Sequence, residues 1–149
     1  MDEKQIILVQ STWSKVLPIK EKAAELFYNR IFEVDPSTKP LFRGDIKVQG
    51  RKLMDTITSA VYGLNDMETL VPTVRDLGQR HSEYGVKLYH YGSVATALLW
   101  ILEQGLGDDF TEEVKVAWTE TYMFLAGVMK SSVLKAAREG RETPEAKAA

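Results

Sequence analysis

The 149-residue chain contains no cysteine and only two histidines. Without thiols it can form no disulfide, no iron–sulfur cluster and no thiolate metal site. Two histidines are too few for a multi-histidine zinc centre, and the Glu-x-x-His pattern of di-iron bundles is absent. There is no Gly-x-Ser-x-Gly, no phosphate-binding glycine loop and no strand alternation. The net charge is only −2. That leaves no basic field for nucleic acid or an anionic membrane. The longest apolar run, from about Val94 to Leu102, is too short to span a bilayer. The first residues, Met-Asp-Glu-Lys, lack the charged-then-apolar order of a secretion signal. These absences lead us to expect a soluble cytoplasmic protein, a monomer or weak dimer, with neither nucleic-acid nor membrane partners.

What remains is helical periodicity. Hydrophobic residues are 44% and charged residues 27% of the chain, an ordinary balance for one globular domain. Asp2 and Gln5 stand at capping-box spacing, and Ile6, Val9, Trp13 and Val16 follow on one face. Pro18 ends or bends that helix. A second helix is expected from about Ile19 to Val34, with Ala24, Phe27, Tyr28 and Ile31 inward. Asp35-Pro36 predicts a cap and a short helical turn. From about Lys47 the period returns, with Gln49, Leu53, Ile57 and Ala60 on one stripe. Val71-Pro72 is expected to open a short helix carrying Val74, Leu77 and His81, which ends near Gly85. Another helix runs from about Lys87 to Gly105, with Tyr91, Val94 and Leu98 inward. Thr111 caps the last, and Glu112 and Glu113 suit its N-terminal dipole. The expected class is all-α, six to eight helices, with a domain over residues 1–138 and a disordered tail at 139–149.

Within that frame, one stretch offers chemistry: Leu77-Gly-Gln-Arg-His81-Ser-Glu-Tyr84-Gly-Val86. Leu77 and His81 lie one turn apart on a helix. A histidine at the end of an apolar-faced helix suits a single metal bond. By itself, such a histidine is more often a structural or exposed residue. If the helix bearing Gln49, Leu53 and Ile57 crosses opposite, a flat slot opens between them. Phe42 can close one end, and Tyr28 can aim its hydroxyl inward. Each has a bland alternative: Tyr28 as a core aromatic, Gln49 as a solvated position displaced by Val48 or Gly50 after a one-residue shift. His90, between two tyrosines, reads as a surface residue or one standing behind the site.

Taken together these residues resemble the globins over about residues 3–133. The carriers are Thr12-Trp13, Phe27-Tyr28, Asp35-Pro36 with Phe42 six residues after the proline, Arg51-Lys52-Leu53-Met54, the string from Leu77 to Val86, and Ala117-Trp118 with Tyr122. The closest likeness is to bacterial single-domain globins and the haem domain of flavohaemoglobins, with some similarity to neuroglobin. The resemblance implies haem b as cofactor and His81 as the proximal iron ligand. It implies Phe42, Leu53, Ile57, Leu77, Val86, Tyr91 and Val94 around the haem, with Lys52 toward a propionate. Tyr28, Gln49 and Leu53 match the distal trio. Glutamine is a poor iron ligand, so ferrous iron with one protein ligand is expected, unlike neuroglobin.

The implied function is reversible O2 binding, with NO and CO as further ligands, for transport, storage or scavenging. Nitric oxide dioxygenation with a separate reductase is the alternative, then a haem-based gas sensor or a haem-free interaction domain. Two departures from flavohaemoglobins stand out. No reductase module follows the globin in this sequence. Tyr91 matches the family's proximal tyrosine, but the place of its glutamate partner holds Val133.

Overall fold

A computed structural model describes residues 1–42 and 44–142, with side chains except at Val133 and 135–142. The described residues form six α-helices and no strand. They are α1 (Glu3–Val16), α2 (Lys20–Val34), α3 (Ile46–Tyr62), α4 (Met67–Glu83), α5 (His90–Leu106) and α6 (Glu112–Glu142). The expected all-α architecture is therefore present.

The capping signals act as the residue types dictate. Asp2 and Gln5 close a reciprocal capping box on α1. Asp35 accepts the Ser37 amide and starts a 3-10 turn over Pro36–Leu41. The Thr111 hydroxyl accepts the Val114 amide at the start of α6. Gly85 takes φ +94° just past α4, a conformation that favours glycine.

Two expected boundaries move. α4 does not open at Val71-Pro72; Asp66 caps it from Met67, and Pro72 lies inside the helix. A proline there removes the bond to the Glu68 carbonyl. Both Glu68 and Pro72 are exposed, so water can satisfy that carbonyl. α5 starts at His90 rather than Lys87, because residues 87–89 form a turn whose first amide is taken by the His90 side chain. At the far end α6 continues past Arg138 to Glu142, and residues 143–149 lie outside the described residues.

The core joins α1, α2, α5 and α6 around Trp13, Ile31, Ile101, Leu102 and Trp118. The two indole rings lie 5.7 Å apart. Each buried N–H finds an acceptor: Trp13 donates to Thr58 at 2.9 Å and Trp118 to Thr12 at 2.8 Å. α3 packs chiefly on α2, whereas α4 packs chiefly on α6. Consecutive in the chain, α3 and α4 thus pack chiefly on different partners.

Candidate functional site

α2 and α3, which carry Tyr28, Gln49, Leu53 and Ile57, pack on each other. Gly50 is buried where they cross; a Cβ there would lie 3.0 Å from Ala24 Cβ and 3.6 Å from Tyr28 Cε2. A glycine allows this close approach. It turns the neighbouring stripe, Gln49, Leu53 and Ile57, to a half-buried face. Gly50 itself is buried, and Val48 is 42% exposed. Tyr28 is 4% exposed and sits in an aromatic cluster. Phe42 meets it edge-on at 4.9 Å, Phe27 at 5.5 Å, and Phe32 stacks at 6.1 Å. Burial alone pushes its phenol up to about 12, so it is a neutral donor at ordinary pH.

α4 carries His81 in its last turn. Nδ1 lies 2.8 Å from the Leu77 carbonyl. A carbonyl only accepts, so Nδ1 carries the proton and Nε2 keeps its lone pair. Burial holds the imidazole below its usual range, outweighing the Leu77 bond, which acts the other way. A neutral ring with a free Nε2 is the form that binds a metal ion. Leu77 and Val86 are half-buried beside it, and Val86 N–H returns to the His81 carbonyl. Lys52 is exposed.

Tyr91 is buried near the start of α5, and its hydroxyl has no hydrogen-bond partner among the described residues. Burial raises its phenol. The Lys130 ammonium lies 5.7 Å from the ring centroid, and Tyr122 donates its hydroxyl to the Tyr91 carbonyl. Val133's side chain lies outside the described residues.

The second histidine is not a surface residue: His90 is 4% exposed. Its Nδ1 accepts the Lys87 amide at 2.8 Å, which puts the proton on Nε2, 3.2 Å from Ser37 Oγ. Ser37 in turn donates to Asp35, as does Ser93. Those bonds hold Asp35 below the usual carboxylate range. The serine's proton goes to the carboxylate rather than to the imidazole, so these three are not a nucleophilic triad. Both ring nitrogens of His90 are occupied.

The globin family model matches residues 25–129. The chain belongs to the globin family. A flavohemoprotein of Xylella fastidiosa strain Temecula1 is 33% identical over 128 residues, 84% of this chain and 32% of the relative. That of strain 9a5c is 32% identical over the same extent. The globin thus spans about a third of the length of these flavohemoproteins. A rice protein, the anaerobic nitrite reductase NSHB5 of Oryza sativa subsp. indica, is 30% identical over 141 residues, 91% of this chain and 97% of its own. Globin membership implies haem binding.

The residues present fit that group. Phe42, Leu53, Ile57 and Val94 pack against the core while remaining half-buried. Leu77 and Val86 are half-buried as well. Apolar side chains left in this condition on separate elements suit an apolar guest. His81 offers a single nitrogen donor, and no cluster of three or more ligating side chains occurs among the described residues. Sequence reasoning missed Phe32, Gly50, Gly78 and the His90 network. Phe32 follows Tyr28 by one helical turn, a signal available in the sequence. The others depend on contacts across the fold.

Proposed function

We propose that this globin binds haem b between α3 and α4, with His81 Nε2 as the only protein ligand to iron, and reversibly binds O2. When bound, the haem supplies the ferrous iron that takes a diatomic gas. Phe42, Leu53, Ile57, Leu77, Val86, Tyr91 and Val94 would surround the macrocycle, and Lys52 would reach a propionate. The carrying observation is the His81 ring: a backbone carbonyl fixes its tautomer and burial keeps it neutral. His90 is committed to Lys87 and Ser37, and Gln49 is a poor ligand, which supports a single protein ligand.

Across the slot the Tyr28 hydroxyl and the Gln49 amide act as donors to the partial negative charge that O2 gains. Such charge-assisted bonds are the stronger kind. Leu53 restricts the space and excludes water. These features favour slow O2 release and slow iron oxidation, suited to O2 storage, carriage or scavenging, with CO and NO as further ligands in the cytoplasm. Titrating haem into the apoprotein tests the reading. One equivalent should give a Soret band, and His81→Ala should lose it unless free imidazole is added; a His81→Ala spectrum like the wild type would refute the ligand assignment.

The likeness to flavohemoproteins favours a second reading at the same residues. Nitric oxide, O2 and one electron would yield nitrate, the electron coming from a separate reductase. Tyr28 and Gln49 would orient the O2, while the cofactor carries the redox chemistry.

A further inference from the structure

α4 has two faces with different tasks. Leu77 and His81 stand half-buried on one, and Leu70, Val74 and Gly78 are buried on the other at four-residue steps. At Gly78 the helix meets α6. A Cβ there would lie 2.6 Å from Met129 Cα, 2.6 Å from its carbonyl oxygen and 2.8 Å from its Cβ. The first two are backbone atoms in the interior of a long helix and cannot swing aside. No left-handed conformation demands glycine here, since among the described residues only Gly44, Gly85 and Gly107 have positive φ. Glycine inside a helix costs about 0.5–1 kcal/mol relative to alanine. The close approach explains why it stands here nonetheless.

The contact lies three residues before His81, about one helical turn. The His81 ring is tied to the same turn through the Leu77 carbonyl at 2.8 Å. We infer that Gly78 is a positioning residue: it seats α4 directly on the α6 backbone and so sets the height at which His81 is presented. The consequence for the iron rests on the proposed role of His81, whereas the seat itself does not. Moving α4 off α6 moves the imidazole with it, because the ring has no freedom separate from its helix.

Hydrogen exchange on the wild-type protein as purified tests the seat. The amides of residues 76–83 should be protected as well as those of residues 125–130 in α6. Exchange of the α4 amides at free-chain rates overturns the inference. Resonance Raman spectroscopy of the haem-loaded, unliganded ferrous protein tests the height. Gly78→Ala should shift the iron–histidine stretching band and speed haem loss about tenfold, the scale of an overpacked contact. Gly127→Ala is the control: its added Cβ meets nothing within 4 Å, and it should leave both unchanged. An unshifted band in folded Gly78→Ala also overturns the inference. Should that variant fail to fold, the exchange experiment decides. A wild-type protein that takes no haem refutes the proposed function, while the exchange result still judges the seat.

Discussion

At the scale of single residues, Tyr28 carries the sharpest consequence. It is almost wholly buried, and burial keeps its phenol protonated to about 12. Tyr28→Phe removes the hydroxyl and keeps the ring contacts with Phe42 and Phe32. A hydrogen bond to a charged group contributes about 1.5–3 kcal/mol. The expected outcome is O2 dissociation about ten- to a hundredfold faster in stopped-flow, with faster oxidation of the iron. An unchanged rate would mean that the hydroxyl does not address the ligand. The sequence located this residue, and the fold brought Phe42 against it, because helical spacing and the Pro36-to-Phe42 interval are local. The close approaches at Gly50 and Gly78 escaped notice for the opposite reason. What each glycine makes room for belongs to another helix, and for Gly78 that helix is 51 residues away in sequence.

At the scale of elements, the helices were legible from periodicity and their ends less so. α4 starts before Pro72 because a proline on an exposed face leaves its orphan carbonyl to water. α5 starts late because no Ser, Thr, Asp or Asn stands at 86–89 to mark its cap; a side chain inside the helix, His90, takes the Lys87 amide instead. The corner joining α2 to the 3-10 turn is pH-sensitive. Asp35 has a depressed carboxyl, first because Ser37 donates to it and next because Ser93 does. Its stabilising contribution is present above the unfolded carboxylate value of about 4 and is lost as pH falls through the folded value. In urea melts the wild type should lose stability below about pH 4 more steeply than Asp35→Asn; parallel curves would remove Asp35 from the account. Between α1 and α6, Thr12→Val should strand the Trp118 N–H without an acceptor. The expected loss is about 1–3 kcal/mol, read as a lower unfolding midpoint.

At the scale of the whole molecule, α3 belongs to α2 and α4 to α6, and the proposed haem lies between these two pairs. The globin family, the all-α fold and the meeting of Tyr28 with Phe42 were all readable in the sequence. The buried His90 network was not, since Ser37 and Asp35 lie 53 and 55 residues from His90, beyond any periodic signal. No helix among the described residues is long and apolar enough to cross a membrane. Mixing the O2-loaded globin with nitric oxide separates the two functional readings. Without a reductase, turnover should stop at one equivalent; sustained nitrate production on adding a flavin reductase and its reductant would favour the dioxygenase reading over simple O2 binding. Both readings require the same iron ligation, and the absorption spectrum of the unliganded ferrous protein examines it most directly. The account predicts a Soret band and visible spectrum of five-coordinate, high-spin haem with one histidine ligand. A low-spin bis-imidazole spectrum, or no Soret band after haem addition, would contradict it.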